Sequence, residues 1–289
     1  MSNITYSASV NSKKQADIAL KHKISKLYIP FDLFYSEQLN HEYITQIHSN
    51  SDIKVYIILP EIIRKNDSKY LDKLTEFLLL GKADGVLVKN LEEIGFISSI
   101  ESKLNDEYIS LHGKKADFTP LIIEGDYNLY CWNKHSLEFL NEFCDKLTSP
   151  LELSIHELKE LDDRSLTIPV YGKAMLMISA NCVRKTSSEC MNGVSFVFDR
   201  KLNDRKNKSQ LVNINCIHCF NKLYNNIPTS YHKQIYDLIK AGFEDFRLDF
   251  TDESNEEIDA LLTYYIDEKR SGSFPVNEYT TGHILKGAI

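Results

Sequence analysis

The feature that most restricts the fold of this chain is an alternation. A short β-rich run is followed by an amphipathic helical run, and the pair repeats from Ile4 to Gly172 and resumes after Ser230. Apolar residues at every second position, or in short unbroken runs, mark strands, and recurrence near every 3.6 residues marks helices. Strands read as Ile4–Val10, Lys26–Phe31, Lys54–Leu59, Asp84–Val88, Leu121–Glu124, Leu151–Ser154, Ile168–Gly172 and Phe246–Phe250. Helices read over Lys13–Lys21, His41–Ser49, Tyr70–Leu80, Phe96–Leu104, Ser136–Lys146, His156–Leu161, Tyr231–Ala241 and Asn255–Lys269. Lys54–Leu59 is almost wholly apolar, the mark of a strand covered on both faces.

Eight βα units predict an α/β fold, a TIM-like (β/α)8 barrel in one domain over residues 1–289. A long insertion, 175–230, follows strand seven, where barrel loops build sites on the C-terminal face. An open doubly wound sheet is the runner-up. Such a sheet normally carries a glycine-rich first turn, whereas Asn11-Ser12-Lys13 has no glycine.

That insertion holds four of the six cysteines: Cys182, Cys190, Cys216 and Cys219. The N-terminus lacks a basic start followed by an apolar run, and Val55–Pro60 and Phe77–Leu80 are too short to span a bilayer. The expectation is a cytoplasmic protein with no membrane association, where clustered thiols serve as metal ligands more readily than as disulfides. Tetrahedral sulfur ligation suits zinc or an iron–sulfur cluster, and the spacing does not separate them. Cys131 and Cys144 read as core cysteines.

A net charge of −7 gives no general attraction to nucleic acid, so RNA contact needs a local patch. The basic passage from Arg184 to Lys208 (Arg184, Lys185, Arg200, Lys201, Arg205, Lys206, Lys208) is the candidate; its alternative is a solvated loop. Polar residues stand at the strand exits: Asp32, Glu61, Asn90, Glu124, Asp126, Asn128, Asp249 and Asp252. In a barrel these converge over the mouth, where carboxylates act as general acid or base. Arg247 and Asp249 alternate along one strand face, so a structural ion pair inside the barrel is the competing reading. His156-Glu157 begins like a zinc-protease helix, but Glu160 stands where the second histidine must be.

Several runs together resemble one family. They are Tyr171-Gly172 leading into Cys182-Val183-Arg184-Lys185-Thr186, Leu202-Asn203-Asp204-Arg205 before Cys216, and Cys219-Phe220-Asn221 with Tyr224-Asn225. Glu124 to Leu129, Phe246 to Thr251 and Tyr279-Thr280-Thr281-Gly282-His283 complete the set. Over roughly residues 120 to 289 the chain resembles the collagenase-like peptidases, peptidase family U-thirty-two, and is similar to the C-terminal barrel of the longer members. The resemblance implies a (β/α)8-like fold and, from the family name, peptidase activity. Several branches look instead like oxygen-independent hydroxylases that modify RNA bases or quinone precursors with a 4Fe–4S cluster on four cysteines. That picture places a cluster on Cys182, Cys190, Cys216 and Cys219, with Asp126, Asn128, Arg247 and Asp249 facing substrate. The alternatives are a metal-dependent peptidase and a zinc-stapled, non-catalytic accessory barrel that binds RNA, a partner barrel or a second copy of itself.

Overall fold

Parallel strands that are apolar on both faces need helices outside and a filled concave side, and the chain supplies both. The computed structural model describes residues 4–64, 67–112, 121–190, 196–203, 205, 209–267 and 272–288. In chain order the first half runs β1 (Thr5–Ser9), α1 (Lys13–Ala19), β2 (Lys26–Pro30), α2 (Phe31–Tyr35), α3 (His41–Asn50), β3 (Lys54–Ile58), α4 (Ser68–Leu79), β4 (Gly85–Val88), α5 (Leu91–His112) and β5 (Ile122–Gly125). After a 3-10 turn at Tyr127–Leu129 come α6 (Lys134–Leu140), β6 (Lys146–Leu147), α7 (Ile155–Leu161) and β7 (Thr167–Gly172). The insertion expected over 175–230 holds β8 (Met175–Ser179), α8 (Val183–Thr186), β9 (Phe196–Asn203), β10 (Ser209–Asn215) and β11 (Phe220–Tyr224). The chain ends with β12 (Thr229–Ser230), α9 (Ile235–Lys240), β13 (Asp245–Asp249) and α10 (Asn255–Ile266).

The strands do not form the expected (β/α)8 barrel. They form a curled, mostly parallel nine-stranded sheet, ordered β12-β7-β13-β1-β2-β3-β4-β5-β6, and a separate antiparallel sheet, β8-β11-β10-β9. Strand β12 runs antiparallel to β7. Between β6 and β7 there is one isolated bridge, Thr148 to Thr167, instead of a ladder. The physical reason lies at β6, which is two residues long and is followed by Ser149-Pro150. Proline lacks the N–H a ladder needs and biases the residue before it, so pairing stops there. The predicted sixth strand at Leu151–Ser154 is instead the approach to α7, whose capping box joins Ser154 and Glu157.

Between the sheet and its helices lies one large apolar cluster, including Leu27, Ile29, Val55, Ile57, Val86, Phe246 and Leu248. The concave side carries the alternate residues of the same strands. Tyr28, Tyr56, Ile58 and Leu87 form a small apolar cluster there. Beside it Lys26 Nζ lies 2.6 Å from Glu124 Oε1 and 3.3 Å from Asp245 Oδ2, and the Tyr28 hydroxyl donates to Glu124 Oε2 at 2.5 Å. Lys146 also pairs with Asp245. Glu124, expected at the mouth, therefore belongs to this interior network. Among the described residues no helix is long and apolar enough to cross a membrane.

Candidate active site

At the C-terminal ends of the parallel strands lies a solvent-open cavity, where open α/β sheets place ligand sites. Its charged lining is drawn from several exits: Asp32 after β2, Glu61 after β3, Lys89 after β4, Asp126 after β5, Lys173 after β7, and Arg247 with Asp249 on β13. The antiparallel sheet contributes Lys222 and Tyr224 of β11. In a strand, Phe220, Lys222 and Tyr224 share one face, and that alternation delivers both polar groups to the mouth.

One wall is built on Arg247, whose side chain is 1% exposed. Its Nη2 donates to Asp126 Oδ1 at 2.7 Å and to Asp249 Oδ2 at 3.1 Å, Nη1 reaches Thr148 Oγ1 at 3.3 Å, and Nε stands 2.7 Å from Asp249 Oδ1. The guanidinium carbon also lies 5.5 Å from the centre of the Tyr28 ring and 6.0 Å from that of Tyr127. Against its burial, the charges of Asp126 and Asp249 hold the guanidinium firmly protonated. Asp126 is enclosed and also accepts the Tyr127 N–H at 2.9 Å. Asp249 keeps 25% of its side chain accessible. Desolvation pushes its carboxyl above the usual aspartate range, with Asp126 adding to the effect and Arg247 opposing it. Gly172 makes room here, since a Cβ would meet the Asp249 backbone oxygen at 2.8 Å and its Cβ at 2.9 Å.

The opposite wall centres on Glu61. Its Oε1 accepts from Lys89 Nζ and from Lys222 Nζ, each at 2.5 Å. Burial alone would raise this carboxyl, but the two ammonium groups hold it well below the ordinary range. Under Lys89, the buried Glu93 accepts the Lys89 N–H at 2.6 Å and the Asn90 amide at 2.9 Å, and burial pushes its carboxyl up to about 8. Desolvation also raises the hydroxyls of Tyr127 and Tyr224, which remain proton donors at neutral pH.

Three of the four residues expected to face substrate, Asp126, Arg247 and Asp249, thus meet in one cavity. Asn128 does not. The 3-10 turn carries it into a neighbouring cleft with Leu91, Ser136 and Phe139. The helix expected to start at Ser136 starts earlier: Asn133 caps α6, and Ser136, its third residue, completes a capping box with it.

The cysteine quartet is the main correction. Cys182 and Cys216 are buried in an apolar cluster with Val212 and Ile214, whereas Cys190 and Cys219 are exposed. Among the described residues no group of three or more His, Cys, Asp or Glu is arranged to hold a metal ion. Cys182 and Cys216 pack in that apolar cluster as small hydrophobes, the usual behaviour of a buried cysteine. Among the described residues, Cys182, Cys190, Cys216 and Cys219 are not assembled into the ligand set that the expected 4Fe–4S or zinc centre would use. Cys131 and Cys144 lie in the main core, where burial pushes each thiol up to about 12.

In the basic passage, Arg184 is buried while Lys185, Lys201 and Arg205 are exposed. Lys206 and Lys208 lie outside the described residues, as does the Arg200 side chain.

Two further residues escaped sequence reasoning, Lys222 and His218. His218 Nε2 faces Asp32 Oδ1 at 3.3 Å and its Nδ1 faces Asp67 Oδ2 at 3.3 Å. Asn215 donates to Asp32 Oδ2 at 2.7 Å, and the Tyr70 hydroxyl donates to Oδ1 at 2.8 Å. This cluster ties the turn between β10 and β11 to the exit of β2 and so fixes Lys222 over the mouth.

Fold and site together define an α/β protein with a curled parallel sheet, a polar cavity at the strand ends and a small antiparallel sheet closing one side of it. No family model and no curated protein matches the chain. Among solved structures it is similar to chitinase ChiW of Paenibacillus sp. str. FPU-7, at TM-score 0.43 and 10% identity, over 88% of this chain and 42% of that one. It is also similar to the spore cortex-lytic enzyme SleL of Bacillus cereus, at TM-score 0.41 and 7% identity, over 87% of this chain and 71% of that one. Likenesses at this level bear on neither substrate nor activity.

Proposed function

We propose that the protein is an enzyme working by general acid–base chemistry in the mouth cavity, with the Asp249 carboxyl as the group that exchanges a proton with substrate. The observation carrying this reading is two carboxyl groups set on one buried guanidinium in unlike surroundings. Asp126 is enclosed and anchors Arg247, while Asp249 reaches the cavity and is held toward its neutral form. Placing a carboxyl closer to neutral pH is how a fold obtains a proton-transfer group from an ordinary aspartate. Arg247 is the positioning residue: its Nη2 donates to Asp249 Oδ2, and its Nε stands beside Oδ1 at ion-pair distance. Tyr127 and Tyr224 add hydroxyl donors to the same space. The proposal sets the enzyme in the cytoplasm, where its thiols stay reduced.

A panel of p-nitrophenyl esters, phosphates and glycosides, with peptide p-nitroanilides, tests it. One class should be turned over, and Asp249→Asn should lower kcat by about 10²–10⁴-fold, the usual contribution of a positioned acid or base. Circular dichroism of both proteins should be alike. Turnover that the variant leaves intact, or a wild-type protein inert to every class, contradicts the proposal.

A further inference from the structure

A second cleft opens beside the mouth, between the exits of β4 and β5, and Lys89 lines both. Its walls are unlike those of the mouth. Leu91 at the start of α5 and Phe139 on α6 are 57% and 49% exposed, and Leu129 and Leu140 complete the apolar lining. Phe143 extends this surface, meeting Phe139 edge to face with ring centres 5.2 Å apart. Scattered exposed hydrophobics need no explanation, but here they gather around one polar atom. Asn128 Oδ1 is shielded from solvent and accepts no hydrogen bond among the described residues. The other polar side chains of the cleft are engaged, Lys89 on Glu61, Asn90 on Glu93 and Ser136 on Asn133. A shielded amide oxygen without a donor costs free energy that a ligand's N–H or O–H would recover. The backbone ties this atom to the acid–base wall. Asp126, Tyr127 and Asn128 are consecutive: the first anchors Arg247, the second lines the mouth and the third lines the cleft.

We propose that this cleft is a subsite for an aromatic group of the substrate that carries one uncharged hydrogen-bond donor, with the ring against Phe139 and Leu91 and the donor on Asn128 Oδ1. The inference rests on the acid–base reading in taking the mouth as the reacting centre, and it adds the substrate class: a molecule whose polar end reaches Asp249 while an aromatic end is held beyond Lys89. A ring suits the cleft better than an alkyl chain, because Phe139 and Phe143 offer the edge-to-face contacts that only another aromatic group can complete. The donor is uncharged because its acceptor is a neutral amide oxygen among hydrocarbon side chains, where an ionised group would lose its hydration without a counter-charge.

Binding of indole, benzofuran and cyclohexanol to the full chain, followed by 1H–15N NMR, tests this without a known substrate. Indole has both the ring and the N–H, benzofuran keeps the ring without the donor, and cyclohexanol keeps a donor without the aromatic ring. Indole should shift the amides around Leu91, Asn128 and Phe139 and bind about 3- to 10-fold more tightly than benzofuran, the range of one net hydrogen bond. It should also bind more tightly than cyclohexanol. Phe139→Ala, at a half-exposed position, should weaken indole about tenfold. Asn128→Leu should still bind both ring compounds and lose the preference between them. Leu285→Ala, at an exposed leucine beyond α10, should change nothing. With a substrate that carries an aromatic group, Phe139→Ala should raise KM and leave kcat unchanged. Equal binding of indole and benzofuran by the wild-type protein, or no shift around the cleft, overturns the subsite whether or not a variant folds poorly. Asp249→Asn separates the two readings. Indole binding that keeps its preference while turnover ignores Asp249 leaves the subsite standing and removes the acid–base proposal, and turnover that needs Asp249 without any indole preference does the reverse.

Discussion

Replacing Arg247 by methionine removes the one cation that Asp126 and Asp249 share, and leaves two carboxyl groups facing each other in an enclosed site. Arg247 is 1% exposed and Asp126 5%, so solvent screens little of the loss. Breaking a buried ion pair from one side costs about 3–5 kcal/mol, because the partner is left charged and uncompensated. For a chain of this size each kcal/mol moves Tm by about 2–4 °C, so the drop should be on the order of 10 °C at pH 7. The penalty should shrink in acid. Without the guanidinium, the folded-state pKa of Asp249, already above the ordinary aspartate value of about 3.9, rises further, so the folded variant binds the extra proton. The variant's stability is then fully present below about pH 4 and is lost as pH rises through the raised folded value of Asp249. Thermal unfolding by circular dichroism from pH 4 to 8 should show the wild-type and variant curves diverging with pH. Adding Asp126→Asn and Asp249→Asn to the variant should recover a large part of the loss at pH 7. A Tm within 2 °C of wild type at pH 7, or a deficit that does not vary with pH, would refute the account of this wall.

Glu61→Gln should destabilise the protein at neutral pH by leaving Lys89 and Lys222 without their shared carboxylate. Because the folded Glu61 pKa is depressed, its stabilisation is present above the unfolded glutamate value near 4.3 and fades as pH falls below it; urea melts at pH 7 and pH 3 should show the gap closing in acid. Gly85→Ala should cost about 1–3 kcal/mol or more in urea unfolding, since the new Cβ would meet the Ile122 backbone oxygen at 2.4 Å and Tyr56 Cε1 at 2.6 Å across β4.

The strand that carries Arg247 and Asp249 was legible because its residues alternate between two buried sides. Phe246, Leu248 and Phe250 face the helices, while Asp245, Arg247 and Asp249 face inward, and the polar set stands out against the apolar one. Glu61 could be placed at a strand exit because it follows the unbroken apolar run Val55–Leu59. The curl of the sheet was not legible. Whether eight βα units close into a ladder depends on β6, where two paired residues before Ser149-Pro150 leave a single bridge to Thr167. Strands β9 to β11 were hidden because their alternation is polar and short, as in Asn213-Ile214-Asn215, and because β9 and β10 pair through a register shift at Val212/Asn213. The cysteines drew attention by their density, which does not say where side chains point. The local signal that was overlooked is the two-residue period Phe220, Lys222, Tyr224, which puts a lysine and a tyrosine on the cavity side of one strand.

The most direct measurement is the titration of the Asp249 carboxyl itself, by 13C NMR of the side-chain carbon, with Asp249→Asn used to assign the signal. The account predicts a midpoint clearly above the ordinary aspartate value of about 3.9, moving further up when Arg247 is replaced by methionine. A midpoint at or below that value would make Asp249 an ordinary ion-pair partner of Arg247 and contradict its role as the proton-exchanging group.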